Sequence, residues 1–247
     1  MLKCVPYYSR HDCLLLYPDY INTMTEITLD SRVGDIVAHR PSASKTFHQY
    51  GIDFCCGGGK SLSIACTKKG VNAEQVLLEL TKVDSAFESE KTWINASPNA
   101  LIGHILTKYH EPLQSELPRL EAMLEKVNRV HGHVDQAKFD ALLSTFSTLK
   151  QDLLEHMQKE EQVLFPLIMQ KRFDAVNMPI QMMESEHEEA GAALRELRRL
   201  TDDYVAPEYA CNTWRALWDG LRELEIAMHE HVHLENNVLF PRAAALN

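Results

Sequence analysis

The chain contains the same eleven-residue pattern twice. Residues 156–166 and residues 231–241 both follow His-x-x-x-Glu-x-x-Val-Leu-Phe-Pro, and the two copies begin 75 residues apart. In an α-helix, residues four apart lie on one face, so each copy projects an imidazole and a carboxylate in the same direction. The Leu-Phe pair of each copy is expected to seat its helix in the core on the same side. The repeat therefore predicts two equivalent helices that present matching His/Glu pairs.

The repeat extends upstream of both copies. His110 precedes His156 by 46 residues, and His187 precedes His231 by 44 residues. Each half then reads as one helical hairpin, with a lone histidine on its first helix and a His/Glu pair on its second. Packing two such hairpins together brings four histidines and two carboxylates to a common interior point, which is the ligand inventory of a dinuclear metal centre. The predicted ligands are His110, His156, Glu160, His187, His231 and Glu235.

The type of ligand narrows the choice of metal. Imidazole and carboxylate without thiolate suit iron, manganese or zinc, whereas structural zinc usually recruits cysteine. Six protein ligands shared by two metals leave positions open for oxygen species, nitric oxide or a bridging solvent, so we favour two non-haem irons, with manganese as the main alternative. Asp152 lies four residues before His156, and Glu186 is next to His187. We expect these two carboxylates to support the ligands or to line a channel.

The remaining histidines are assigned no metal. His229 and His233 also lie four residues apart, but they fall about 200° around the helix from His231. The first copy of the repeat has no counterpart to them, so we predict that both are surface residues. His104, His131 and His133 are expected at the edge of the core or in loops.

The hydrophobic pattern predicts an all-α fold, because long segments carry apolar residues at helical spacing and alternating strand patterns are nearly absent. Short connections between long helices favour an up-down four-helix bundle in residues 98–247. The predicted bundle helices are 98–130, 136–171, 179–203 and 210–240.

A small helical domain is predicted in residues 24–90, before a polar linker over 88–98. Asp30 or Ser31 is expected to cap its first helix, and Pro41 to open the next. A further helix is predicted over 73–80, where apolar residues share one face. Residues 1–23 show no periodicity and are treated as an N-terminal extension, which either belongs to the native protein or precedes a start at Met24.

Composition and charge exclude several classes of partner. Of the 247 residues, 45% are hydrophobic and 24% are charged, and the net charge is −10. Without a basic stripe, nucleic acid and anionic membrane surfaces are poor candidate partners. The apolar runs are far too short to span a bilayer, and Leu14–Leu16 is too short for a signal peptide, so we expect a cytoplasmic protein.

The six cysteines predict no disulfide framework, because thiols in the cytosol are kept reduced. Cys55 and Cys56 are adjacent and are followed by three glycines. Adjacent thiols in a glycine-rich loop at a helix start are expected to have lowered pKa values and to take part in redox chemistry or metal transfer. Cys66 and Cys211 are expected to be buried and inert.

Together these motifs resemble the di-iron iron–sulfur cluster repair proteins (the RIC family, YtfE/ScdA type), over residues 24–246. Those proteins carry a Cys-Cys-Gly-Gly loop in a short N-terminal domain, here residues 53–58, and a hemerythrin-like second domain. The signatures of that second domain correspond here to residues 108–110, 156–161, 183–188 and 231–241.

The resemblance implies a non-haem di-iron centre held by the six predicted ligands. It also implies repair of iron–sulfur clusters damaged by nitrosative or oxidative stress, with damaged iron–sulfur proteins or cluster scaffolds as partners, in the cytoplasm and often as a homodimer. Iron donation and nitric oxide reduction at the paired irons both stay open, and with them whether the protein turns over as an enzyme. The alternatives are an oxygen or nitric oxide carrier or sensor, and a di-zinc hydrolase.

Overall fold

A computed structural model describes residues 26–83 and 92–246. The N-terminal part consists of four short helices around their own apolar core, in which Phe47 and Leu62 are fully buried. These helices are α1 (Val33–His39), α2 (Ala43–Tyr50), α3 (Leu62–Lys69) and α4 (Ala73–Val83). β-Pairing in the described ranges is limited to one isolated bridge, between Arg32 and Ser61. The predicted all-α fold is confirmed.

Helix α1 begins differently from the prediction. Its N-cap is Arg32, which makes no capping hydrogen bond through its side chain, so neither Asp30 nor Ser31 caps the helix. The Ser31 hydroxyl instead accepts a hydrogen bond from the Thr28 N–H at 3.0 Å and closes the preceding turn.

Helix α3 was not predicted, although its ends carry ordinary signals. The Ser61 hydroxyl accepts a hydrogen bond from the Ile64 N–H at 3.4 Å, which is the usual contact of a serine N-cap. Gly70 ends the helix in the left-handed conformation, with φ of 69°. The helix is only two turns long, and its hydrophobic pattern is weak because just three of its residues are buried.

The second part of the chain is a four-helix bundle with short connections. Each long helix packs against the next one in the chain, and the last packs against the first, so the helices alternate in direction around the bundle. The elements are α5 (Pro98–Ile105), α6 (Glu111–His131), α7 (Gln136–Lys159), α8 (Phe165–Met169), α9 (Asn177–Leu200), α10 (Asn212–Leu234) and α11 (Phe240–Ala244). Helices α5 and α6 form one continuous rod, as do α7 and α8, and α10 and α11, while α9 is the remaining rod. The bounds of the four predicted helices agree with these four rods to within a few residues.

Three of the four rods contain one wide π-turn, at Leu106–His110, Glu160–Leu164 and Glu235–Leu239. In each, the residue after the turn donates its N–H to the carbonyl five residues earlier, and a proline follows immediately. Proline has no N–H to continue the α-helical ladder, so the helix widens just before it. The shared Leu-Phe-Pro ending of the repeat therefore marks a π-turn inside a continuous rod.

Two apolar clusters fill the bundle and leave a polar layer between them. One cluster includes Leu153 and Met157, before the first Glu of the repeat. The other includes both Leu-Phe pairs of the repeat, Leu164-Phe165 and Leu239-Phe240. The prediction that these pairs seat their helices on the same side is confirmed. The His and Glu residues of the repeat lie in the polar layer.

The N-terminal helices cover one face of α10, and this overturns the prediction for His229 and His233. His233 is 3% exposed, and Phe54 contacts it edge to face with ring centroids 5.6 Å apart. The His229 ring stacks on His48 of α2 at 5.2 Å. Both histidines do point away from His231, as helix geometry requires, but the N-terminal helices and not solvent occupy that side.

The His48–His229 stack predicts a pH-dependent contact between the two parts of the chain. Burial, and then the positive charges of His229 and Arg198, lower the pKa of His48 to about 4. A histidine whose pKa is lower in the folded than in the unfolded protein stabilises the fold above about pH 6.5, and this stability is lost as the pH falls towards 4.

Lowering the pH from about 7 to about 5 should reduce the free energy of unfolding less in His48→Phe, which keeps an aromatic ring on His229, than in the wild-type protein. We expect the two reductions to differ by roughly 1–2 kcal/mol. Urea unfolding at the two pH values measures this difference. Equal losses in the wild-type protein and the variant would contradict the prediction.

The four cysteines in the described ranges are free. Cys66 is buried, as predicted, but Cys211 is exposed, so its predicted burial is wrong. Cys211 is the N-cap of α10 at the end of the bundle, where no element covers it. Residues 1–25 and 84–91, which include the predicted extension and part of the linker, lie outside the described ranges. Among the described helices, none is long and apolar enough to cross a membrane.

Candidate metal centre

The six predicted ligands lie together in the polar layer of the bundle. They form two groups of four, and within each group one ligand atom from every residue lies within 4.8 Å of the others. Both groups contain Glu160 and Glu235. One adds His110 and His231, and the other adds His156 and His187. The arrangement is that of two metal positions sharing two carboxylates.

All four imidazoles turn Nε2 towards the shared carboxylates. Glu160 Oε2 lies 3.4 Å from His110 Nε2 and 3.5 Å from His156 Nε2. Glu235 lies 3.2 Å from His187 Nε2 through Oε2 and 2.9 Å from His231 Nε2 through Oε1. Each carboxylate thus faces one histidine of each group.

The lone histidine of each hairpin forms a hydrogen bond through Nδ1 with the residue that follows the ligand glutamate of the same hairpin. His110 Nδ1 lies 2.8 Å from Glu161 Oε1, and His187 Nδ1 lies 2.8 Å from Asn236 Oδ1. These bonds orient the imidazoles and direct Nε2 inward. Sequence reasoning assigned no role to Glu161 or Asn236, although the repeat places both at the same position.

The histidines of the two His/Glu pairs are supported differently. His156 Nδ1 lies 2.8 Å from Glu186 Oε2. Glu186 precedes His187 in the sequence, but it supports His156, the histidine that shares a ligand group with His187. Among the described residues, none forms a hydrogen bond with His231 Nδ1, and the ring of Tyr109 stacks on this imidazole with centroids 5.2 Å apart and an angle of 6° between the ring planes. Tyr109 and Glu186 occupy the same position in the repeat, one residue before the lone histidine. The two metal positions are therefore not equivalent.

The buried atoms of the cluster fit a pair of cations. Glu160 and Glu235 are both 0% exposed, and within the described ranges no donor is well aligned for a hydrogen bond with either oxygen of Glu160 or with Oε2 of Glu235, although histidine nitrogens lie close by. A buried carboxylate without a donor or counter-charge is strongly destabilising, whereas metal coordination compensates the same charge. The donor set of nitrogen and oxygen atoms suits iron, manganese or zinc.

The charges in the metal-free protein agree with this interpretation. Burial lowers the pKa of His110, but the Glu160 carboxylate beside its Nε2 outweighs burial and raises the pKa to about 9. His187 behaves in the same way beside Glu235, with a pKa of about 9. Burial opposes ionisation of Glu235, but His231 and His187 hold its pKa well below the usual range. Metal binding at these nitrogens has to displace protons, so it is favoured as the pH rises.

The cysteine loop, which we define as residues 52–60, lies directly against this cluster. The Asp53 carboxylate accepts hydrogen bonds from the Cys55 and Cys56 N–H groups, both at 3.1 Å, and fixes the turn. The Cys56 thiol lies 3.6 Å from the backbone carbonyl of His187. Asn237 donates to the carbonyl of Cys55 at 2.9 Å, so the π-turn that carries Glu235 also anchors the loop.

The expected lowering of the thiol pKa values is wrong for Cys55. The hydrogen bond to the Cys56 thiol, and then burial, raise the pKa of Cys55 well above its usual value, and the Asp53 carboxylate adds to this effect. Helix α3 begins only at Leu62, too far along the chain for its N-terminus to stabilise a thiolate. Cys56 is less buried than Cys55, and it lines a cavity of about 450 Å³ that opens to solvent.

A smaller cleft of about 190 Å³ also reaches the cluster. It is lined by His156 and His187 and by several carboxylates, including Asp152 and Glu186. The structure therefore places Asp152 at an opening to the cluster, and places Glu186 both at this opening and against an imidazole.

Comparison with protein families assigns both parts of the chain. Residues 101–243 match the hemerythrin HHE cation-binding domain. Residues 29–84 match the ScdA_N domain, described as a domain of unknown function (DUF542). The cofactor of a hemerythrin domain is a pair of non-haem irons, and the two ligand groups found here could hold two metal ions.

Similar curated proteins span both parts. The iron–sulfur cluster repair protein YtfE of Dickeya chrysanthemi (strain Ech1591) is 38% identical over 87% of this chain and 96% of its own length. YtfE of Escherichia coli O8 (strain IAI1) is 40% identical over 87% and 97%. A probable iron–sulfur cluster repair protein of Haemophilus influenzae is 36% identical over 85% and 95%. The chain therefore belongs to the family of iron–sulfur cluster repair proteins that carry a hemerythrin cation-binding domain.

Proposed function

We propose that this protein repairs iron–sulfur clusters damaged by nitrosative or oxidative stress, acting on damaged iron–sulfur proteins or cluster scaffolds. One observation carries the proposal: the Cys56 thiol lies 3.6 Å from the backbone carbonyl of His187, a histidine of the buried cluster, and also lines a solvent-open cavity. Cys56 therefore lies between the buried cluster and the solvent, on the side from which a client could approach.

The proposed iron ligands are the four histidines and two glutamates of the cluster. In this assignment Glu160 and Glu235 each serve both metals, and each metal takes two imidazoles. The pair of irons would supply redox chemistry towards nitric oxide and a source of iron for donation.

The surrounding residues hold the ligands and exclude water. Glu161, Glu186 and Asn236 fix three of the imidazoles through Nδ1. Phe240 stacks on His187 with centroids 6.0 Å apart, and Tyr109 stacks on His231. A dry, rigid ligand shell lowers the freedom lost when a metal binds and keeps water from competing for the ligands.

The two cysteines have different roles in this proposal. Cys55 stays protonated at neutral pH because of its raised pKa, and it positions the loop through its hydrogen bond to Asp53 at 3.3 Å. Cys56 receives the iron: its sulfur binds the ion, and its proton leaves to water in the cavity that it lines. In the variant based on nitric oxide chemistry, Cys55 and Cys56, whose sulfurs lie 3.9 Å apart, would together give up two electrons and two protons and close a disulfide.

The alternative of a gas carrier or sensor would use the same cluster without the thiols. The Asn237 contacts and the Cys56 contact with His187 favour repair, because a carrier has no need for a thiol loop anchored to its metal centre.

The proposal is tested by Cys55→Ala/Cys56→Ala, with the exposed Cys211→Ala as the matched control. We expect both variants to retain iron and to bind nitric oxide, because no cluster ligand changes. Recovery of activity of a nitric-oxide-damaged [4Fe–4S] dehydratase should be lost only in the loop variant. Repair that survives in the loop variant would exclude the thiol role.

A further inference from the structure

A second concavity lies beside the cysteine loop, between α3 and α9, and shares Glu188 with the cavity that Cys56 lines. It has a volume of about 280 Å³ and is lined by the loop residues Asp53 and Gly57. Four cationic side chains also line it, and we name it the basic groove after them: Lys60, Lys68, Lys69 and Arg195.

Within the part of the chain that the structure describes, the four cations of the basic groove have no ion-pair partner, unlike many other cations there. In the part of the chain that the structure describes, Lys150 pairs with Glu121, and Arg198 pairs with Glu225 at 2.8 Å. No such partner lies within 4.0 Å of a basic-groove cation in the described ranges. Collecting like charges without counter-charges costs free energy, which an anionic partner would recover.

Two carboxylates, Asp53 and Glu188, face the basic groove and offset two of its four positive charges. Burial raises the pKa of Asp53, but the hydrogen bonds that it accepts from N–H groups of the cysteine loop and from the Cys55 thiol outweigh burial and hold the pKa below its usual value, so this carboxylate is negatively charged. Glu188 is exposed on α9 and lines the groove from the bundle side. The groove thus keeps a positive balance in a protein of net charge −10.

The surface beside the basic groove also carries an apolar side chain. Ile64 is 58% exposed and lies one turn before Lys68, on the same face of α3. Protein interfaces combine an apolar anchor with charged residues at the rim, whereas a site for a small anion has no use for an exposed isoleucine.

We propose that the basic groove is the docking surface for an acidic iron–sulfur protein. The carboxylates of this partner bind Lys60, Lys68, Lys69 and Arg195, and its damaged cluster comes to face the cysteine loop. The net negative charge of the chain repels acidic proteins elsewhere, so the groove also orients the encounter. This inference rests on the proposed repair function, and it adds the chemistry of the partner and the place where it binds.

The test uses Lys68→Gln/Arg195→Gln and a matched control, Lys126→Gln/Arg129→Gln. The control removes the same two charges from exposed, unpaired residues of α6, about 24 Å along the bundle from His110. The probe is a strongly acidic ferredoxin whose [4Fe–4S] cluster has been damaged with nitric oxide. Binding is measured by titration calorimetry at ionic strengths of about 20 mM and about 200 mM.

We expect the groove variant to bind the ferredoxin about tenfold more weakly than wild type at low salt, and the control to change less than about twofold. Iron content should stay the same in both. Equal weakening in both variants, or none in either, would overturn the docking surface. So would a groove variant that loses affinity for citrate but binds the ferredoxin normally, because the groove would then be a small-anion site.

The two proposals fail in different ways. If the wild-type protein binds the ferredoxin through the groove but does not restore its cluster, the docking surface stands and the repair function fails. If the groove variant restores the cluster as fast as wild type, the repair function stands and the docking surface is wrong.

Discussion

Replacing His156 and His231 together with alanine is expected to abolish iron binding. Each histidine belongs to a different ligand group, so each metal position is left with one imidazole and the two shared carboxylates. The wild-type protein should hold about two irons per chain, and the double variant close to none, because loss of a protein ligand removes much of the binding free energy of a buried metal site. Elemental analysis of protein from iron-replete cells measures this.

The double variant should also be less stable than the iron-loaded wild type. Glu160 and Glu235 remain fully buried, and without metal they keep fewer compensating charges, which costs several kcal/mol. His133→Ala is the control, because His133 is exposed at the far end of the bundle and should leave iron content and melting temperature unchanged. Iron that survives in the double variant would disprove the ligand assignment.

Replacing Gly58 with alanine is expected to displace the cysteine loop from the bundle. A Cβ at this position would overlap Asn237 Oδ1 and lie 2.7 Å from the Phe54 carbonyl. Asn237 cannot retreat without giving up its hydrogen bond to the Cys55 carbonyl. Overpacking of this kind costs roughly 1–3 kcal/mol, and we expect it mainly to weaken the contact between the cysteine loop and the bundle.

The neighbouring glycine supplies the control for that experiment. A Cβ on Gly59 would meet nothing within 4 Å, so Gly59→Ala should behave as wild type. We expect Gly58→Ala to increase the rate at which a maleimide labels Cys56, and to raise hydrogen exchange in residues 52–60, while iron content is retained. Equal labelling of both variants would mean that the Asn237 contact does not hold the loop in place.

The repeat made much of the centre predictable from sequence. Because side chains four apart share a helix face, the position of His156 and Glu160 on one face followed from spacing alone. The matching second copy then required a common meeting point, and the structure brings all six residues there. The support of His110 by Glu161 was also within reach, since Asn236 holds the same place in the other copy.

Other features depended on tertiary contacts that spacing does not encode. His229 and His233 point away from the cluster, as the helix requires, and only the docking of the N-terminal helices buries that face. The π-turns precede prolines, which in a sequence usually indicate the end of a helix. Whether the helix ends there or continues through a π-turn depends on whether neighbouring helices pack against both of its segments. The raised pKa of Cys55 likewise depends on burial against the bundle.

The most direct measurement is anomalous diffraction at the iron absorption edge from crystals of the iron-loaded protein. Our account predicts two iron peaks inside the bundle, one beside His110 and His231 and the other beside His156 and His187, with Glu160 and Glu235 contacting both. A single peak, or peaks outside this cluster, would contradict it.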